Sequence, residues 1–134
     1  MLGFRDARHA LGAALLHSPR VATDDGSVGH CGLVTDLLRL ELGEHGAHRR
    51  PSQARPSGHG HVEVYACGPP PMLEAVRAIC ERHGVPAQLA LESGMACGFG
   101  ACFGCVVPTR EGYARLCVDG PVLEARELEA VHSH

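Results

Sequence analysis

Four cysteines set the terms for this chain. Cys97, Cys102, Cys105 and Cys117 stand at C-x4-C-x2-C-x11-C inside the stretch from Leu91 to Pro121. To gather them, the backbone must turn tightly around the first three and then travel out and back for the fourth. The intervening residues suit the tight part. Gly98, Gly100 and Gly104 separate the first three cysteines, and Ala101 is nearly as small. Glycine reaches φ > 0 at least cost, and small side chains leave N–H groups free to face the sulfurs. The later part reads as a β-hairpin: Cys105 to Pro108 out, Thr109 to Gly112 turning, Tyr113 to Cys117 back.

The spacing of the first three cysteines, with a fourth further on, is the plant-type pattern for a [2Fe–2S] cluster. Each iron of such a cluster takes four sulfurs, two of them bridging sulfides, so four protein thiolates are needed. N–H groups aimed at those sulfurs would raise the reduction potential. A structural zinc site also uses C-x2-C pairs. Zinc sites usually pair two short hooks, however, and one C-x4-C-x2-C run with a lone distant cysteine fits that plan less well. Disulfides fit least: no export signal is read at the start, and glycine crowding gives no reason for cross-linking.

The chain has 134 residues, which makes one modest domain or two very small ones. Apolar residues make up 45% of it, with aromatics only 4% and no Trp, so the core is expected from Leu, Val and Ala. A net charge of −3 offers no broad basic surface and argues against nucleic acid as the main partner. The apolar runs fall far short of a membrane span. Seven cysteines without an export signal imply the reducing cytoplasm and metal or redox use.

Along the chain, Arg5 to Leu16 carries Ala7, Ala10, Leu11, Ala14 and Leu15 at helical spacing, stopped by Pro19. Val21 to Thr23 reads as a short strand, and Asp24 to Ser27 as a turn. Leu33 to Leu42 reads as a helix with Val34, Leu37, Leu38 and Leu42 inward and Gly43 as its stop. Residues 43–61 are almost free of apolar side chains and read as a mobile loop. Its four histidines, His45, His48, His59 and His61, lack regular ligand spacing, which favours a solvated loop over a metal-binding tract. Val62 to Cys67 alternates as a strand does. Gly68 to Pro71 forms a corner, and a helix runs to about His83 with Met72, Ala75, Val76, Ile79 and Cys80 as its stripe. Pro86 to Leu91 gives another strand, and Glu124 to Val131 a short closing helix. Helices alternating with strands imply an α/β fold with a parallel sheet, here over residues 1–90, followed by a small β-rich cysteine module over residues 91–134.

Three passages in this order carry a resemblance: Val21 to His30, Tyr65 to Pro69 with Met72, and Leu91 to Cys105; Val118 to Val122 strengthens it. Together they resemble the electron-transfer subunit of dihydroorotate dehydrogenase B, over nearly all of the chain except the 43–61 loop. The resemblance implies a partial NAD-binding domain of ferredoxin-reductase type and a C-terminal [2Fe–2S] module ligated by Cys97, Cys102, Cys105 and Cys117. It implies that Thr23, Asp24 and Asp25 lie near the adenosine side of NAD, and that Cys67, Gly68 and Pro69 lie beside the nicotinamide and flavin. It also implies FAD and NAD in the complete subunit, an FMN-containing catalytic subunit as hetero-oligomeric partner, and a place in pyrimidine biosynthesis.

The sequence departs from that family in two places. No flavin-binding barrel motif and no GxGxxG occur, so the chain looks like the C-terminal half of the family's subunit and is not expected to turn over alone. Small subunits of sulfide dehydrogenases or of NAD(P)H–ferredoxin oxidoreductases, and a non-catalytic iron–sulfur carrier, are the alternative readings. By local chemistry alone, Asp24-Asp25-Gly26 is an ordinary turn and Cys67 a small buried hydrophobe. Cys31 and Cys80 are expected to be core or surface thiols.

Overall fold

In the computed structural model, residues 1–43 and 62–129 are described. The expectation of a loop over 43–61 therefore falls, from residue 44 on, outside the described residues. The chain divides into two compact units, Met1–Arg55 and Pro56–His134.

The first unit is built on a three-stranded sheet of β1 (Leu2–Phe4), β2 (Val21–Thr23) and β3 (His30–Cys31), in that spatial order and all parallel. Parallel strands need a covering layer. The helix α1 (Val34–Leu42) supplies it, burying Thr35, Leu37, Leu38 and Leu42 and contacting β2. Val34 faces β1 closely enough that a Cβ on Gly3 would lie 2.9 Å from the Val34 Cβ, so a side chain at position 3 would push the helix off the strand. Asp36 closes the start of α1 by accepting from the Leu33 N–H at 2.9 Å, and Gly43 ends it in the left-handed conformation.

The helix expected over Arg5 to Leu16 is replaced by turns and a single 3-10 segment, Leu11–Leu15. Two physical reasons are visible. The Asp6 carboxylate accepts the N–H groups of Arg8 and His9 at 2.8 and 3.2 Å, an Asx-type turn that competes with helical bonding. The apolar stripe is also only partly covered: Ala10 is buried, but Leu11 is 78% and Leu15 89% exposed. A short helix draws most of its stability from packing an apolar face, and the large members of this one stay unpacked.

The second unit contains β4 (Val64–Cys67), β5 (Ala87–Ala90) and β8 (Val122–Glu124) in one sheet, with β4 and β5 parallel and β5 and β8 antiparallel. The helix α2 (Pro70–His83) crosses over between β4 and β5, with prolines in its first turn and Gly84 as its left-handed stop. It buries Leu73, Val76, Arg77, Ile79 and Cys80. Leu73 and Arg77 thus take the inward places expected for Met72 and Ala75. Arg77 is tolerated there because its fork is filled: Glu74 accepts from Nε at 2.9 Å and Nη2 at 2.7 Å, and Glu81 from Nη1 at 3.0 Å. The parallel sheet expected from the alternating pattern is thus present as two three-stranded sheets, and β8 adds an antiparallel strand to the second.

The remaining strands, β6 (Val106–Thr109) and β7 (Gly112–Arg115), form the expected hairpin. Of the closing helix expected over Glu124 to Val131, the described part is the end of β8 and a turn, with Leu128 bridging to Thr109; the rest lies outside the described residues. No helix among the described residues is long and apolar enough to cross a membrane.

Ile79 is fully buried on α2. Ile79→Ala is expected to destabilise the folded chain by about 2–5 kcal/mol through lost burial and the cavity left behind. Denaturant unfolding of the two proteins side by side checks this, and a change below about 1 kcal/mol would show that α2 is not the core element described.

Candidate metal centre

The hairpin brings the third and fourth cysteines together. β6 and β7 pair Val106 with Arg115, and beyond that pair Leu116 donates its N–H to the Cys105 carbonyl at 3.1 Å. Cys105, just before β6, and Cys117, two residues past β7, therefore lie near one another at the base of the hairpin, close enough for each thiol to shift the other's pKa. The base of the hairpin is packed: Cys105, Ala114 and Leu116 are buried. Its tip is tied down as well, since the Arg110 N–H donates to the Glu127 carbonyl at 2.8 Å just past β8. The start of the cysteine stretch is fixed by the Leu91 N–H, which donates to the Pro121 carbonyl at 2.9 Å. Sheet, hairpin and closing strand thus hold the segment at both ends.

The first two cysteines are joined by the irregular loop between them. The N–H groups of Cys102, Phe99 and Ala101 and the Cys102 thiol all act electrostatically on the Cys97 sulfur. The Gly104 N–H in turn donates to the Cys102 sulfur at 3.4 Å. Bonds of this kind stabilise thiolate over thiol. Led by the Cys102 N–H, they draw the Cys97 thiol down to about 6. The Cys117 N–H does most to lower Cys105, with its thiol helping. Cys117 is pushed up, first because its thiol is committed to Cys105, then by burial and by the charge developing on Cys105 and Cys97. The Gly100 N–H offsets part of that rise.

The thiols thus influence one another electrostatically, Cys97 with Cys102, Cys105 with Cys117, and Cys97 with Cys117. Among the described residues no group of three or more His, Cys, Asp or Glu side chains converges as a single metal ion would require. The donors suit iron–sulfur chemistry: soft sulfurs, with the Gly104 N–H directed at one of them.

The six other residues singled out by sequence lie at the carboxyl ends of parallel strands, where open α/β sheets present their ligand loops. Thr23 closes β2 in the first unit. Its buried hydroxyl donates to the Val28 carbonyl at 2.8 Å and accepts the Val28 N–H at 3.1 Å, so it shapes the loop from within. The Asp25 carboxylate accepts from the Ser27 hydroxyl at 2.6 Å and the Ser27 N–H at 2.9 Å, which hold it below the usual carboxylate range. Asp24 is exposed beside them. In the second unit Cys67 is exposed at the end of β4, Gly68 turns the chain with φ of 148°, and Pro69 precedes α2. That φ strains any residue with a side chain, which is why glycine suits the corner; a Cβ there would also approach the flexible Met72 Cε to 2.6 Å. Sequence reasoning passed over Arg115 and Asp119. Arg115 donates its N–H to the Asp119 Oδ2 at 2.9 Å just before Cys117, a contact that residue type alone does not signal.

Comparison with known proteins agrees with this geometry. Residues 92–129 match the family model described as the iron–sulfur cluster binding domain of dihydroorotate dehydrogenase B. The electron transfer subunit of dihydroorotate dehydrogenase B (NAD(+)) from Caldanaerobacter subterraneus subsp. tengcongensis is 41% identical over 113 residues, 81% of this chain and 39% of the relative. The subunit of the same name from Geobacillus thermodenitrificans is 43% identical over 112 residues, 81% and 36%. That from Clostridium perfringens is 32% identical over 129 residues, 95% and 45%. The chain thus spans less than half the length of these relatives. Among solved structures, a chain of an NADH-dependent reduced ferredoxin–NADP oxidoreductase studied for flavin-based electron bifurcation superposes with a TM-score of 0.61 at 27% identity, covering 82% of this chain and 34% of that one.

If the four thiols form the centre, Cys102→Ala removes one ligand and should abolish bound iron and sulfide. Cys80→Ala, on the buried face of α2, should leave both unchanged. Iron and acid-labile sulfide assays on the two variants check this, and loss of iron in the Cys80 variant would mean the ligand set is wrong. By sequence, the chain is similar to the dihydroorotate dehydrogenase B electron transfer subunits, and its residues 92–129 match the family model of their iron–sulfur cluster binding domain.

Proposed function

We propose that the chain carries a [2Fe–2S] cluster on Cys97, Cys102, Cys105 and Cys117 and serves in electron transfer between NAD(H) and a partner flavoprotein. The observation that carries this reading is the cysteine spacing held by the β6–β7 hairpin, which returns Cys117 towards Cys105, with the Gly104 N–H directed at the Cys102 sulfur. Bound there, the cluster would supply one-electron transfer. The chain's own part is to hold the ligands, shield one of them and leave an approach open. Cys105 is buried at the hairpin base, whereas Cys102 is exposed. Met95, Phe99, Phe103 and Val118 stand exposed around the cysteines. Apolar side chains of this kind suit close docking of a partner protein, which a short electron path requires.

In this reading residues 1–90 belong to an NAD-binding domain and residues 91–134 to the cluster module. Thr23, Asp24 and Asp25 lie on the adenosine side of NAD, with Cys67, Gly68 and Pro69 beside the nicotinamide and flavin. FAD stands between NAD and the cluster, and the partner is the FMN-containing catalytic subunit of a dihydroorotate dehydrogenase, in the cytoplasm. A second reading places the chain with the ferredoxin–NADP oxidoreductases, on the strength of the structural likeness. The higher identity to the dihydroorotate dehydrogenase B subunits favours the first.

A nicotinamide delivers two electrons as a hydride, and a [2Fe–2S] cluster accepts one, so a flavin must intervene. NADH added anaerobically to the cluster-loaded 134-residue chain should leave its visible absorption unchanged. Adding a flavin-bearing reductase domain of the family should then bleach it. Bleaching by NADH alone at about 1 per second or faster would contradict the need for flavin. No bleaching with the flavoprotein present would overturn the electron-transfer role.

A further inference from the structure

Arg115 touches both arcs of the cysteine loop. It ends β7, two residues before Cys117. Its guanidinium carbon lies 5.9 Å from the centroid of the Phe103 ring. A Cβ built on Gly100 would come within 3.3 Å of the Arg115 Nη1, so the same side chain also runs alongside the Gly100 backbone. Gly100 lies between Cys97 and Cys102, and Phe103 between Cys102 and Cys105.

Asp119 sets the direction of that side chain. Its Oδ2 accepts the Arg115 N–H at 2.9 Å and the Nε–H at 3.3 Å, while the Arg115 carbonyl accepts the Asp119 N–H at 2.8 Å. Phe103 adds a further constraint. It holds φ of 56°, a left-handed conformation unfavourable for a bulky residue. Strain of this kind persists where the surrounding structure requires it. Here the strained residue carries the ring on which the cation rests.

A guanidinium is ionised at any working pH. Reduction adds one negative charge to a cluster, and a fixed positive charge nearby stabilises the reduced form. We propose that Arg115, oriented by Asp119 and stacked on Phe103, is a positioning residue that raises the reduction potential of a cluster held by Cys97, Cys102, Cys105 and Cys117. This rests on the cluster assignment made above. The Asp119 carboxylate is the opposing charge, so neutralising either member should move the potential, and in opposite directions.

The test uses the cluster-loaded wild type with Arg115→Gln, Arg115→Lys and Asp119→Asn, each assayed for iron and sulfide and then titrated by electron paramagnetic resonance. Arg115→Gln should lower the ratio of reduced to oxidised cluster at fixed potential by on the order of tenfold, equivalent to about 59 mV for a one-electron couple. Arg115→Lys, which keeps the charge, should stay near wild type, and Asp119→Asn should move upward. Equal shifts for Gln and Lys, no shift in Gln, or no rise in Asn would overturn the proposal. If Arg115→Gln fails to hold iron, Arg115→Met takes its place, with the same fall expected and no fall overturning the proposal. Wild type without sulfide would instead overturn the cluster assignment itself.

Discussion

Thiolates gathered to hold a cluster would repel one another, and what the second unit supplies against that repulsion is a cysteine loop held at both ends. Part of the answer is electrostatic. Backbone N–H groups of Phe99, Ala101 and Cys102 act on the Cys97 sulfur, and the Gly104 N–H faces Cys102. Each is a fixed partial positive charge that needs no extra side chain. The opposite shifts of Cys105 and Cys117 show what remains when two thiols share one proton: one is favoured as thiolate and the other resists ionising. Metal ions bound there would remove that conflict by taking both as thiolates, which would tie occupancy of the proposed centre to the folding of the loop.

The rest of the answer is mechanical. A loop of glycines and small residues has almost no core of its own, so its shape depends on what holds its ends. The β6–β7 hairpin brings Cys117 beside Cys105, and β8 ties the region to the sheet through its pairing with β5. Leu89, Leu116, Leu123 and Leu128, all buried, form the apolar base beneath these elements. Burying side chains of this size contributes roughly 1.5–3 kcal/mol each before chain entropy is counted. Rigidity at the base lets Cys102, Phe99 and Phe103 remain exposed above it.

Much of this was legible in the sequence because the signals were local. The hairpin followed from its turn residues, α1 and α2 from apolar spacing with glycine stops at Gly43 and Gly84, and β2, β4 and β5 from short β-rich runs. What sequence missed depended on distant partners. Val122 to Glu124 becomes a strand only because β5 offers it an edge. Arg77 is buried because Glu74 and Glu81 fill its donors. The stripe of Ala7, Ala10, Leu11, Ala14 and Leu15 has helical spacing, but its large members Leu11 and Leu15 stay exposed, so the Asp6 turn prevails. At the site, the cysteine spacing carried the ligand proposal, whereas the orientation of Arg115 by Asp119 became visible only in three dimensions.

The account stands or falls on what the four cysteines hold. The most direct measurement is a visible spectrum of anaerobically purified protein together with iron, zinc and acid-labile sulfide determinations. A cluster on Cys97, Cys102, Cys105 and Cys117 predicts a reddish-brown protein with about two irons and two sulfides per chain. A colourless protein with stoichiometric zinc and no sulfide would contradict it.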